Sequence, residues 1–376
     1  MNVPPVPLFD CRVSDEAVRA LCQVLASGQL ASGPAVPALE RAFAQLHGDT
    51  RQAVAMGDMT HALTLALQLG GVAAGDEVLT LAYNCLSSNS AITSVGARPA
   101  WVDIEPTTAT MSLESAAAAL NSRTRAVLLY HVAGYPANLH AWRDFCDAHG
   151  LLLVEDANNA LGARWQNQPV GTVGDFAVFS LYANRQVNGI EGAVLLCKDP
   201  EHAHRARQLR RFGIDTATFR DAMGEINPMS DVPQVGMSSP LNNVNATLSL
   251  HHLNSLEERL RVNRANVDNL RAAMRPTDAQ PVDWDSRGQP AFWAMLLQCD
   301  RRDALMAAFK DSGVQCSKLH HPNDAYTGFR TSQRDLPGTR QFIERVLAIP
   351  CGWWLQDNDF DTISTVLQRF VSRPSA

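Results

Sequence analysis

GDFAVFSLYANRQVNGIEGA, residues Gly174 to Ala193, is the stretch of sequence that decides the fold. Apolar runs from Phe176 to Phe179 and from Ala193 to Cys197 flank a polar loop that contains Gly189 and Gly192. This spacing predicts a strand, a loop and a second strand, with a loop suited to holding a ligand. The pattern alone is also typical of ordinary turns, so the neighbouring sequence must decide.

The segment just upstream, residues 151–157, reads LLLVEDA. Its apolar run predicts a strand buried on both faces, and the run ends in the carboxylates Glu155 and Asp156. Ligands of open α/β sheets bind outside the carboxyl ends of the strands. We therefore expect a ligand site near Asp156, with helix capping as the alternative role for the two carboxylates.

Apolar runs and helical periodicities alternate along the first two thirds of the chain, which predicts a doubly wound, mainly parallel sheet. The predicted strands are 53–56, 77–82, 100–104 and 126–131, and the predicted helices are 13–27, 34–46, 61–69, 113–120, 142–148 and 202–211. A long helix over 250–274 is expected to bridge to a small C-terminal α/β domain, with a strand at 292–297 and helices at 302–312 and 359–370. We expect a large domain with an N-terminal arm over 1–255, and the bridging helix and small domain over 256–376.

Composition excludes several classes of function. The 376 residues are 46% hydrophobic with a formal net charge of -6, and the basic residues are dispersed, so no nucleic-acid partner is expected. Residues 1–10 lack the pattern of a signal peptide, and no run of about eighteen apolar residues predicts a membrane span. The eight scattered cysteines favour a cytoplasmic location and no zinc site. His320 and His321 are adjacent, so on a strand they face opposite sides and predict no metal site.

A possible anion site lies in residues 57–63, which read GDMTHAL. The helix predicted from His61 begins after Thr60, which we expect to be its N-cap. Free backbone N–H groups and the positive end of the helix dipole favour an anion at such a terminus. A plain helix cap is the alternative interpretation.

These segments together resemble the DegT/StrS-type sugar aminotransferases, pyridoxal-phosphate enzymes with the aspartate-aminotransferase-like fold (PLP fold type I). The family pattern is EDA-x-Q-x-x-G-A, then G-D, F-S, and a lysine followed by an E-G-G or D-G-G turn. The matching residues here are Glu155-Asp156-Ala157, Asn159, Gly162-Ala163, Gly174-Asp175, Phe179-Ser180 and Glu191-Gly192. Arg185 stands at the position of the lysine.

The resemblance implies roles for individual residues. Asp156 corresponds to the partner of the pyridine nitrogen, and Asn159 lies where the family places Gln or His near the ring hydroxyl. Ser238 lies near the place of a Lys or Asn that reaches the phosphate across a dimer. The cofactor-binding candidates are Thr60, Met59, Cys85, Asp156, Asn159, Ser180 and Asn243. Met59 replaces a glycine of the family pattern, and Cys85 replaces an aromatic residue. The substrate candidates are His320 and Tyr182.

Arg185 and Asp156 occupy the catalytic positions, but Arg185 changes the chemistry. A transaminase needs one amine that bonds the cofactor and then moves a proton, whereas a guanidinium, with a pKa of about 12.5 to 13.8, stays protonated. Pyridoxal phosphate or pyridoxamine phosphate is therefore expected to bind noncovalently if it binds, and Arg185→Lys is expected to restore the covalent bond.

The resemblance also implies a homodimer, a nucleotide-linked keto-sugar and an amino donor as substrates, and a place in polysaccharide biosynthesis. Three hypotheses follow from Arg185. The chain is an enzyme with non-standard transamination or dehydratase-like chemistry, a catalytically inactive homologue that binds a sugar nucleotide or partner enzyme, or an engineered Lys-to-Arg variant of an ordinary aminotransferase. The sequence alone leaves these three open.

Overall fold

The computed structural model describes residues 5–275, 277–329 and 334–370. Its α-helices are α1 (Asp15–Ser27), α2 (Ala35–Leu46), α3 (Met59–Leu69), α4 (Leu86–Ser94), α5 (Leu113–Ala119), α6 (Leu139–His149), α7 (Pro200–Leu209), α8 (Asn243–Leu253), α9 (Leu256–Met274), α10 (Arg302–Asp311), α11 (Pro337–Arg345) and α12 (Asp357–Gln368). The strands are β1 (Gln52–Met56), β2 (Glu77–Leu81), β3 (Arg98–Val102), β4 (Ile104–Glu105), β5 (Thr110–Met111), β6 (Thr124–Tyr130), β7 (Leu152–Asp156), β8 (Arg164–Trp165), β9 (Gln168–Pro169), β10 (Phe176–Ser180), β11 (Ala193–Cys197), β12 (Gln280–Pro281), β13 (Gly288–Gln289), β14 (Met295–Gln298) and β15 (Val346–Ile349).

A seven-stranded sheet in the order β1-β11-β10-β7-β6-β2-β3 forms the centre of the fold. Strands β10, β7, β6, β2 and β3 run parallel, and β11 pairs antiparallel with both β10 and β1. Alternate residues of β6 enter opposite cores: Val127 and Leu129 pack on one face, and Ala126 and Leu128 on the other. The predicted mainly parallel α/β fold is confirmed.

The carboxyl ends of the parallel strands bring polar side chains to one edge of this sheet. Tyr130 at the end of β6 lies in register with Asp156 at the end of β7, and Val178 of β10 pairs with Asp156 from the other side. The stretch after β10 returns to the sheet through Gly192, whose φ of 133° is a conformation that L side chains rarely adopt. The predicted strand, loop and strand of residues 174–197 are confirmed.

Glu155, unlike its neighbour Asp156, has a structural role. Its buried carboxylate accepts hydrogen bonds from the backbone N–H groups of Gly171, Val173 and Gly174 at 2.7 to 3.0 Å. His131 Nδ1 accepts from the N–H of Ala137, so the proton is on Nε2, which donates to Glu155 over 3.3 Å. His131 is therefore a buried structural residue, and Glu155 does not cap a helix.

The C-terminal part of the chain contains a second sheet, of order β12-β14-β15. The single helix predicted over 250–274 is wrong, because α8 ends at Leu253 and the hydroxyl of Ser255 donates to the carbonyl of His252 before α9 begins. The strand predicted from Phe292 begins only at Met295, since Phe292 has a φ of 48°. Strand β13 pairs with β8, so hydrogen bonds cross the predicted domain boundary.

The described residues contain no helix that is both long and apolar enough to cross a membrane.

Candidate active site

Asp156 is fully buried at the carboxyl end of β7. Its Oδ1 accepts from the backbone N–H of Asn158 at 3.3 Å and from Asn158 Nδ2 at 3.1 Å, whereas Oδ2 has a longer contact of 3.4 Å to Asn84 Nδ2. Burial raises the pKa of Asp156 above its ordinary value, although these hydrogen bonds oppose the shift. The carboxylate is thus held in place by Asn158 and, over a longer distance, by Asn84.

Arg185 is fixed beside Asp156 by two asparagines and a tryptophan. Its Nε donates to the carbonyl oxygen of Asn158 and its Nη2 to Asn158 Oδ1, both at 3.1 Å, and its Nη1 donates to Asn184 Oδ1. The guanidinium carbon lies 4.8 Å from the centre of the Trp293 ring. Asn158 therefore contacts both Arg185 and Asp156 and links them through its amide.

The N-terminal segment packs against the Trp293 ring that contacts Arg185. Phe9 stacks on Trp293 with ring centres 4.0 Å apart, and Trp293 Nε1 donates to the carbonyl oxygen of Asn184 at 2.7 Å. The aromatic pair thus fixes the loop that carries Arg185.

His320 and Tyr130 form a hydrogen-bonded pair on the same side of the site as Arg185. The Tyr130 hydroxyl lies 3.2 Å from His320 Nε2, and Tyr83 contacts the imidazole edge-on with ring centres 5.2 Å apart. Burial, and after it the positive charge of Arg185, lowers the pKa of His320 to about 4. His320 is therefore neutral at physiological pH, and its Nε2 pairs with the Tyr130 hydroxyl.

The described residues contain no group of three His, Cys, Asp or Glu side chains placed to hold a metal ion.

The N-terminus of α3 differs from the sequence prediction. The helix begins at Met59, and its N-cap is Asp58 rather than Thr60, because Asp58 has the extended backbone of a cap and its Oδ1 accepts from the N–H of His61 at 2.9 Å. Thr60 lies inside the first turn. The Asp58 carboxylate therefore already caps the helix N-terminus at which an anion was expected.

The other predicted cofactor residues are distributed around this edge. Asn159 is buried, and its Oδ1 has no hydrogen-bond partner among the described residues. The Ser180 hydroxyl accepts from the N–H of Tyr182 at 3.2 Å. Cys85 is the N-cap residue of α4 and is partly buried.

Asn243 has a different environment. Its Oδ1 accepts from the N–H of Ala35 at 3.1 Å, and its Nδ2 donates to the carbonyl oxygen of Gln29 at 2.9 Å. The side-chain amide therefore stabilises the turn between α1 and α2 of its own chain.

The pyridoxal phosphate implied by the sequence fits one end of the site and not the other. At the ring end, Asp156 Oδ2 and the unpartnered Asn159 Oδ1 are suited to the polar atoms of a pyridine ring. At the phosphate end, the Asp58 carboxylate opposes a second anion, and at the attachment point Arg185 offers no free amine. The residues present therefore fit the pyridine ring better than they fit its phosphate or a covalent attachment.

Sequence reasoning missed several residues that shape the site, namely Asp58, Asn84, Asn158, Asn184 and Trp293. The asparagines adjoin residues that were identified, but nothing in their spacing shows which side chain they contact. Asp58 carried a usable signal, because Asp is as good an N-cap as Thr and precedes the first helical residue.

Several solved structures superpose on nearly the whole chain. AtS13 from Actinomadura melliaura is 27% identical with a TM-score of 0.91, and the match covers 98% of this chain and 100% of that one. The sugar aminotransferase CalS13 from Micromonospora echinospora is 29% identical with a TM-score of 0.90, over 97% and 99% of the two chains. DesI, solved in the presence of its TDP-sugar product, is 27% identical with a TM-score of 0.87, over 98% and 93%.

The family model spans the motifs and all strands of the central sheet. It matches residues 12–368, which include the strand β7 that ends in Asp156 and the loop that carries Arg185. The chain therefore belongs to the DegT/DnrJ/EryC1/StrS aminotransferase family.

Proposed function

We propose that this chain is a member of the family that has lost standard transamination and binds a nucleotide-linked sugar. The observation that carries the proposal is Arg185, whose guanidinium lies beside Asp156 at the position of the family's lysine. A guanidinium has no lone pair at physiological pH with which to bond the cofactor or accept a proton from a substrate carbon.

No other lysine among the described residues takes over this role. Lys198 follows β11 at the end that pairs with the start of β10, which is the opposite edge of the sheet from Asp156. Lys318 Nζ forms an ion pair with Asp303 at 2.9 Å. Lys310 lies in the last turn of α10 in the C-terminal part. The positions of these three lysines therefore support the proposed loss of transamination.

An anionic sugar nucleotide suits what remains of the site. DesI is a relative solved with a TDP-sugar, and a diphosphate is a good acceptor for arginine. An arginine has five N–H donors, and three hydrogen bonds from Arg185 to the described residues leave two for a ligand. We propose that Arg185 binds the anionic part of the ligand and that Tyr182 and His320 contact the sugar.

Isothermal titration calorimetry with a dTDP-linked sugar tests this proposal. Replacing Arg185 with Gln removes a charged donor, so Arg185→Gln is expected to raise Kd about tenfold or more. Arg261→Gln, in which an exposed arginine paired with Glu258 is changed, is the matched control and should leave Kd unchanged. Failure of the wild-type chain to bind, or an unchanged Kd for Arg185→Gln, would contradict the proposal.

We also propose that the chain is a cytoplasmic homodimer. The segment between α7 and α8 exposes a group of large apolar side chains, namely Phe212, Met223, Ile226, Met229 and Val235. Exposed apolar side chains that cluster in one segment are typical of an interaction surface. All eight cysteines are unpaired, which supports a reducing compartment. Sedimentation at micromolar concentration is expected to give a dimer, and a monomer would contradict this assembly.

A further inference from the structure

The carboxylate of Asp58 caps the first turn of α3. Asp58 Oδ1 accepts from the N–H of His61, the third residue of the helix. A carboxylate at this position already interacts favourably with the positive end of the helix dipole. A phosphate that approached the N–H groups of Met59 and Thr60 would meet the Asp58 side chain within the same turn.

A second carboxylate lies across from Asp58. Strands β1 and β11 are antiparallel and their pairing ends at Met56 and Ala193, so Asp58 and Glu191 each lie two residues beyond the same end of this pair of strands. Burial, and after it the Asp58 charge, raises the pKa of Glu191, which agrees with this proximity. Glu191 belongs to the family motif. We therefore assign the additional negative charge at this turn to Asp58.

The third side of the turn supplies no strong cation. The N–H of Gly57 donates to the carbonyl oxygen of Ser239 at 2.8 Å, and the Ser239 hydroxyl lies 3.1 Å from His61 Nδ1. His61 Nδ1 is 3.9 Å from Asp58 Oδ1. In the described part of the chain, neither lysine nor arginine forms an ion pair with Asp58 or Glu191.

We infer that this turn discriminates against a phosphate group, so that the site binds an unphosphorylated pyridine amine more tightly than the phosphorylated one. The ring end, with Asp156 and the unpartnered Asn159 Oδ1, is the same for both ligands. The difference between them is therefore assigned to the Asp58 carboxylate. This inference concerns the α3 turn and does not depend on whether a sugar nucleotide binds.

The test compares pyridoxamine with pyridoxamine phosphate on the full chain by calorimetry at low salt. Asp58→Asn removes the charge but keeps an N-cap of equal quality, so the helix is preserved. Wild type is expected to bind pyridoxamine more tightly than its phosphate. Asp58→Asn is expected to lower Kd for the phosphate about tenfold and to change Kd for pyridoxamine less than about twofold.

Two controls make the result specific. Asp361→Asn removes one exposed carboxylate from α12 and should change neither affinity. Added salt should reduce the discrimination in the wild-type chain, because exposed charges are screened. Tighter binding of pyridoxamine phosphate by wild type, or no gain of phosphate affinity in Asp58→Asn, would overturn the inference. If wild type binds neither ligand measurably, the gain in Asp58→Asn decides the question.

Discussion

The Arg185→Lys/Asp58→Asn double variant is expected to bond pyridoxal phosphate and turn yellow, whereas the wild-type chain stays colourless. The lysine supplies the amine that the guanidinium lacks, and burial beside Trp293 lowers the pKa of that amine and so frees its lone pair. The asparagine removes the charge that opposes phosphate at the α3 turn. The absorbance of the protein, freed of unbound cofactor after each addition, measures the fraction that carries bonded cofactor.

The single variants separate the two effects. Arg185→Lys alone supplies the amine but keeps the Asp58 carboxylate, so it should need about ten times more cofactor for the same colour. Asp58→Asn alone has no amine and should stay colourless. Equal colour in Arg185→Lys and the double variant would contradict the role of Asp58, and a colourless double variant would contradict the claim that these two residues block the cofactor.

Glu155→Gln is expected to lower the free energy of unfolding by about 3 kcal/mol. The buried carboxylate accepts from the backbone of Gly171, Val173 and Gly174 and from His131. An amide of the same size has one oxygen, so at least one buried N–H loses its acceptor and faces another donor. Urea unfolding measures the loss, and Glu344→Gln, on the exposed side of α11, is the control.

The same residue predicts how stability depends on pH. Burial alone would raise the pKa of Glu155, but hydrogen bonds from His131 and from the backbone of Gly174 and Gly171 outweigh burial and lower it. A lowered folded-state pKa adds stability above the unfolded value of about 4.3, and that stability is lost as pH falls below it. The stability difference between wild type and Glu155→Gln should shrink in acid, and a constant difference would contradict this account.

The fold could be read from the sequence wherever apolar runs were continuous. Strands β10 and β11 occur as predicted because both are apolar runs bounded by polar or glycine residues. Helix α4 was missed because LSSNSAITS lacks an apolar face. The break between α8 and α9 was missed because the helical periodicity continues through it, and only the Ser255 hydroxyl marks the interruption.

The position of one site residue was predictable, because Asp156 lies at the end of a buried strand as its sequence predicts. The chemical roles of Asp156 and Arg185 stay predictions. Long-range contacts were not predictable, since Trp293 lies far from Arg185 along the chain and nothing local links them. The Thr60 prediction failed because two good cap residues lie close together, and only the backbone of Asp58 shows which one begins the helix.

The central claim is that the wild-type chain cannot bond pyridoxal phosphate or transfer an amino group through it. Wild type and the double variant should each be mixed with excess pyridoxal phosphate, reduced with borohydride and digested. Mass spectrometry then measures the mass of the peptide that contains position 185. The account predicts the mass of the reduced cofactor on that peptide in the double variant only. A reduced adduct on any active-site residue of wild type, with amino transfer from glutamate to a nucleotide-linked keto-sugar, would contradict it.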